Sequence, residues 1–135
     1  MSCKSGIYAV NTTVGSSLAV DSIYSPNTVI RKFGDNIRLA GNGIVIKGAG
    51  YYKINAIVSV LVPTAGDVVA TLYKDGVAVS GATATASTSA NNDYAIIPIT
   101  ALIRVGCNCE DAVLTVVMSG SATTSNNLAI TVEKE

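Results

Sequence analysis

The sequence has no histidine and no tryptophan, one phenylalanine, and charge on only 13% of its residues. Each shortage excludes a class of chemistry. Without histidine there is no usual general base, no commonest metal ligand and no Ser-His-Asp arrangement. The same lack argues against a cupin-like enzyme. Nine acidic and nine basic residues cancel, and no Lys/Arg cluster stands out. The chain therefore carries no electrostatic footprint for nucleic acid or for an acidic membrane. No two carboxylates sit at a spacing that commits them to one strand face, as glycoside hydrolysis needs. Asp35, Asp67, Asp75, Asp93 and Asp111 read instead as turn and strand-end residues. The glycine-rich spots GNG and GAG open no helix, so neither resembles a phosphate-cradling loop. A non-enzymatic protein without a cofactor is the expectation.

Long apolar runs are also missing. MSCKSGIYAV holds no segment of signal-peptide length, and no stretch approaches the roughly 18 apolar residues that span a bilayer. Synthesis and folding in a cytoplasm, with no membrane partner, is expected. The three cysteines Cys3, Cys107 and Cys109 form no disulfide framework. Cys107-Asn108-Cys109-Glu110-Asp111 is the one stretch with metal-binding character, since thiolates and carboxylates suit a soft cation. A closed site needs four ligands and Cys3 is the only other sulfur, so a reduced turn between strands is the preferred reading. A symmetric oligomer that gathers copies of Cys107 and Cys109 is the alternative.

What the chain does have is β-branched residues between turn signals. Helical periodicity is hard to find. Strands are predicted at 6–12, 18–24, 28–33, 37–39, 43–47, 51–62, 67–74, 77–80, 94–104, 112–118 and 127–133. Asp75-Gly76 is the strongest hairpin signal, and Gly48-Ala49-Gly50 suits a tight reversal. Two stretches of low complexity, 80–92 and 119–127, read as exposed loops or as Thr-rich strands on a solvated face. Many short strands without a crossover helix imply antiparallel sheets in a sandwich or barrel. A jelly roll fits the strand number better than an immunoglobulin-like sandwich. Residues 1–135 form one domain, with 1–34 as a strand-rich extension that adds to its own sheet or contacts a partner.

GYYKINAIVSVLV, residues 50–62, raises the functional question. Alternation puts Tyr52, Ile54, Ala56, Val58, Val60 and Val62 on the core face. The opposite face carries Tyr51, Lys53, Asn55, Ile57, Ser59 and Leu61, and its second half is too apolar for open water. A neutral, apolar small domain also invites association. Tyr51, Ile57 and Leu61 are thus candidate subunit-interface residues. Tyr73, Tyr94, Asn91 and Asn92 are candidate contacts for a glycan or receptor, because aromatic and amide side chains suit sugars.

Residues 43–80 resemble the tumour necrosis factor-like and complement globular-head jelly rolls. The closest resemblance is to the C-terminal domains of bacterial spore-surface collagen-like glycoproteins and related bacteriophage virion proteins. Gly50, Tyr52 and Ile54 fill a "G-x-Y-x-I" motif that opens the long strand. Leu72, Asp75, Gly76, Val79 and Gly81 fill "L-x-x-N/D-G-x-x-V-x-G". Asp111 with Leu128, Ile130 and Val132 stands in for the family's last turn and strand, although CNCED replaces its usual Ala-Gly-Asp. The resemblance covers about residues 35–133 and implies a homotrimer, with the long strand's sheet toward the threefold axis or a neighbouring subunit. With no collagen-like repeat present, it further implies a virion component such as a capsid decoration or head-fibre protein. Its partners would be its own copies and the major capsid or another virion protein, at the virion surface. The alternative is a glycan- or receptor-binding module on a virion, spore or cell surface.

Overall fold

The computed structural model describes residues 4–106 and 111–135. In chain order the strands are β1 (Gly6–Asn11), β2 (Ser17–Leu18), β3 (Ser22–Ile23), β4 (Thr28–Phe33), β5 (Ile37–Ala40) and β6 (Gly43–Ile46). They continue with β7 (Gly50–Val62), β8 (Asp67–Lys74), β9 (Val77–Ser87), β10 (Asp93–Val105), β11 (Ala112–Ser119) and β12 (Thr123–Lys134). The described residues hold no helix.

The strands form two six-stranded sheets whose pairs are all antiparallel. The first runs β10-β7-β12-β1-β4, with β2 also on β12. The second runs β5-β6-β11-β8-β9, with β3 also on β11. From β7 onward the chain passes between the sheets four times, at β7–β8, β9–β10, β10–β11 and β11–β12. That is the jelly-roll sandwich anticipated above.

The period of two builds the core. Tyr52, Ile54, Ala56, Val58, Val60 and Val62 of β7 all point inward and are buried. They meet Leu128, Ile130 and Val132 of β12, Ile97 and Ile103 of β10, and Val68, Leu72, Leu114, Val116 and Met118 of the second sheet. Each fully buried aliphatic side chain contributes about 1.5–3 kcal/mol. Gly43 lets β6 approach β11 closely, because a Cβ there would run into the Leu114 carbonyl. At the β8–β9 hairpin Asp75 and Gly76 have φ of 53° and 80°, the double positive φ that a two-residue turn with matching twist requires.

Three elements differ from the sequence reading. The strand expected at 18–24 is two pieces on different sheets. Asp21, at φ 65°, turns the chain between them and donates its N–H to the Met118 carbonyl at 2.7 Å. β9 runs on to Ser87 and β12 begins at Thr123, so both stretches of low complexity are partly strand. In β9, Ala82 is buried and Ala84 and Ala86 pack on the core, while Thr83, Thr85 and Ser87 are exposed.

Residues 1–34 include strands of both sheets. β1 lies between β12 and β4, and the strap from 12 to 27 crosses from the first sheet to the second. Ser125 is the strap's anchor. Its hydroxyl accepts from the Ser16 N–H at 3.0 Å and donates to the Thr13 carbonyl at 2.8 Å. Its own carbonyl accepts from the Gly15 N–H, and its N–H donates to the Ser16 carbonyl. Ser125 and Thr123 are buried polar residues of β12, in a stretch whose polarity reads as exposed loop or as Thr-rich strand on a solvated face.

Two predictions follow from these contacts. Ser125→Ala removes both hydroxyl bonds and leaves a strap N–H and carbonyl unpaired, a loss of about 1–3 kcal/mol. Hydrogen exchange should accelerate across residues 13–25 and leave the β7–β10 amides unchanged. The second concerns alkaline pH. Burial pushes the phenols of Tyr24 and Tyr52 above the ordinary tyrosine value of 10.0, opposed in part by the Asn126 backbone and the Asn36 side chain respectively. Tyr52 donates to the Gly48 carbonyl at 2.9 Å, whereas the Tyr24 hydroxyl has no partner at hydrogen-bond geometry among the described residues. Both phenols hold their protons to higher pH folded than unfolded. Stability is therefore fully present below about pH 10 and is lost as pH rises further. The urea midpoint should fall between pH 9 and pH 11, and less steeply in Tyr24→Phe.

Candidate functional site

The pairing registers map the outer face of the first sheet residue by residue. Across β10, β7, β12 and β1, one row reads Leu102, Lys53, Glu133 and Gly6, continuing to Phe33 on β4. The next reads Thr100, Asn55, Thr131 and Tyr8, continuing to Arg31. Beyond them stand Pro98, Ile57, Ala129 and Val10, then Ile96, Ser59 and Asn127, then Tyr94, Leu61 and Thr124. The charged residues Lys53, Glu133, Arg31 and Arg104 all fall at one end. The last three rows carry no charge.

That uncharged half is apolar and open. Ile57 is 52% exposed, Ile96 66% and Tyr94 59%, and Leu102 at the charged end is 62% exposed. Leu61 is half-buried between Tyr94 and Thr124, while Tyr51 is exposed beside Arg104. The interface candidates Tyr51, Ile57 and Leu61 thus share one face along β7, with Leu61 the least accessible. A depression of about 330 Å³ lies between Ile57, Pro98, Asn55 and Thr100, a socket into which an opposing side chain can fit.

The polar groups of this face are largely satisfied among themselves. Thr100 donates its hydroxyl to the Asn55 side-chain oxygen at 3.0 Å. Asn126, bulged out of β12, reaches the Ser59 hydroxyl with its amide at 2.9 Å. Phe33 leans across β1 so closely that a Cβ on Gly6 would collide with its ring. The outer face of the second sheet differs in kind. It presents Thr83, Thr71, Thr85, Val69, Thr115 and Val117, with Thr83 hydrogen-bonded to Thr71 and Ser87 to Asp67. Its large apolar residues are less open, with Ile23 at 38% exposure.

The sequence predicts β10 as a strand at 94–104 with Tyr94 as a candidate contact, but it assigns interface residues to β7 alone. Ile96, Pro98 and Leu102 are the apolar outward residues of β10. The signal was present, because DYAIIPITALIRV is apolar at both parities, as is β7. Phe33 and Asn126 had no such signal.

The glycan candidates do not form one cluster. Tyr94 lies on the outer face of the first sheet beside Asn91 and Asn92, whereas Tyr73 is half-buried on the second. The Asn91 side-chain oxygen accepts from the Ala65 N–H at 2.9 Å, and Asn92 sits in the turn at φ 57°. Cys3, Cys107 and Cys109 lie outside the described residues. Among the described residues no group of three or more His, Cys, Asp or Glu side chains is placed to hold a metal ion.

No family model and no curated protein sequence matches the chain. Solved structures do. The Eiger tumour necrosis factor from S. frugiperda superposes with a TM-score of 0.68 at 10% identity, over 98% of this chain and 91% of that one. The PRD1 vertex protein P5 gives 0.63 at 16% identity, over 96% of both chains. The globular domain of the zebrafish complement 1qA protein gives 0.61 at 10% identity, over 96% of this chain and 94% of that one. At such identities the likeness is one of fold, and the fold is the antiparallel, tumour necrosis factor-like jelly roll.

Proposed function

We propose that this chain is a non-enzymatic structural protein that assembles as a homotrimer through the outer face of its first sheet. The observation that carries the reading is the uncharged half of that face, where Ile57, Ile96 and Tyr94 stand open to solvent. Isolated exposed apolar residues are ordinary, but a contiguous patch on a small neutral domain marks an association surface. The neighbouring depression and the self-satisfied Thr100–Asn55 pair favour dry packing, since little polar surface would be stranded by burial.

Pro98 favours packing by face over extension by edge. It pairs with Ile57 in the ladder and has no N–H, so a strand added alongside β10 would lack a bond at its middle. The threefold count comes from the family resemblance described above. Within residues 1–34, β4 is exposed at all six positions and carries Val29, Ile30 and Phe33, so it is the attachment segment we assign to a second partner. We place the assembly on a virion surface, as a capsid decoration or head-fibre protein contacting the major capsid or another virion protein. One of the matched folds belongs to a vertex protein, which supports that placement. The spore surface is the alternative location.

A second reading keeps Tyr94, Asn91 and Asn92 as a glycan or receptor contact. It is favoured by the exposure of Tyr94 beside that turn.

Light scattering tests the assembly. The wild type should have three times the 13.8 kDa of the single chain. Ile57→Lys should drop to the single-chain mass with its β-sheet circular dichroism intact, while Thr85→Lys on the other sheet stays trimeric. A monomeric wild type, or a trimeric Ile57→Lys, would sink the proposal. Particle composition separates the two functions. High-copy protein in purified particles, in multiples of three per lattice point, supports the structural role. Binding on a glycan array that Tyr94→Ala abolishes, with no particle association, supports the second.

A further inference from the structure

The two sheets part at one edge. β10 ends the first sheet and β9 ends the second, and the two strands are not hydrogen-bonded to each other although a five-residue turn joins them. β9 bends away through a wide bulge. Thr71 pairs with Thr83 and Tyr73 with Ala78, so Leu72 alone stands opposite the four residues Val79–Ala82, with Gly81 at φ 81°. The bend leaves a cleft of about 540 Å³ between Val77–Ser80 on one side and Leu102–Arg104 on the other, with Lys74 and Asp75 at its end.

Three properties of this cleft belong together. Its walls are apolar and open, since Val77 is 69% exposed and Leu102 projects beside it. Among the described residues, no strand pairs with the outer edge of its β10 wall. The Glu135 N–H bonds the Tyr51 carbonyl, so odd-numbered residues of β7 turn their backbone groups to β12, and Pro98, opposite Ile57, turns its nitrogen away from β7. Thr100, Leu102 and Arg104 share its parity, so their N–H and carbonyl groups also face the open side. Pro98 spoils the first half of this edge for pairing and leaves the second half usable. Its rim is cationic. Lys74 and Arg104 line it, while the Asp75 carboxylate is engaged by the Val113 N–H at 2.9 Å and lies 3.9 Å from the Lys74 ammonium.

Apolar walls, a short run of free strand edge and two cations match an extended peptide that bears a carboxylate. A small apolar ligand would leave the backbone groups unused. We propose that this cleft binds an acidic, extended segment of a partner protein as an added strand on β10, seated at Leu102 and Arg104. Main-chain bonds supply the affinity, Val77 and Leu102 receive alternate side chains, and Lys74 and Arg104 select for acid. The site uses the edge of β10, whereas the assembly surface uses its outer face.

The test uses the full chain and a capped synthetic hexapeptide, acetyl-EVTVTV-amide, followed by backbone amide NMR. Saturable shifts should appear at Val77–Ser80, Leu102 and Arg104 at sub-millimolar peptide. Two control peptides carry methyl groups on alternate backbone nitrogens, one in each register. One of them should bind at least tenfold more weakly. Replacing the peptide's Glu by Gln, or Arg104→Gln in the protein, should weaken binding several-fold. The proposal fails if millimolar peptide gives no shifts there, or if both methylated peptides bind as well as the parent, which would reveal nonspecific apolar adhesion.

Discussion

Everything in this molecule depends on the alternation of β7 being held at both flanks. β7 pairs with β10 along its whole length and with β12 along most of it. A slip of one residue would turn Tyr52, Ile54 and four small apolar side chains to solvent and drive Lys53 and Asn55 into the core. The two ladders forbid that slip, and the buried face of β7 fixes where the second sheet packs. The outer face inherits its order from the same registers. Its separation into a charged end and an uncharged end is a consequence of how β7, β10 and β12 are aligned, with no loop involved.

That arrangement also explains why the candidate surface is a face and the candidate peptide site an edge. Face residues have spent their backbone groups on neighbouring strands and can offer only side chains, which suits broad apolar packing. Edge residues retain backbone groups on one side and can recognise an extended chain. β10 takes part in both because it is the outermost strand of the first sheet. Pro98 marks the border between the two uses. Its ring contributes to the apolar face, while its missing N–H restricts pairing to the residues beyond it.

The sequence was most legible where hydrophobicity alternated strongly over many residues, as in β7, β8 and β11, and where turn chemistry was specific, as at Asp75-Gly76. It was least legible where the apolar half of the alternation is only alanine. In β9 the pattern Ala-Thr-Ala-Thr-Ala-Ser reads as low complexity, although its alanines face the core. Thr123 and Ser125 misled for another reason. A buried serine is tolerable only because strap backbone from residues 13–16 satisfies it, and that partner is over 100 positions away in sequence. The split of 18–24 rests on Asp21 adopting positive φ, which aspartate permits but does not announce. The outer face of β7 was visible as a surplus of apolar residues. Its extension onto β10 required the register.

The position of β1 has a consequence for how the molecule comes into being. β1 lies between β12 and β4, with Gly6 opposite Glu133 and Asn11 opposite Leu128. On the ribosome, residues 6–11 emerge more than a hundred residues ahead of the strand they pair with. Until β12 arrives, β7 also has one bare flank, and the first sheet is two separate fragments. Local hairpins such as β8–β9 can form early, but the sandwich can close only when the two ends of the described chain meet. Such non-local pairing is intrinsically slow to fold. The nascent chain therefore holds β7 with one flank unpaired until residues 123–134 are made.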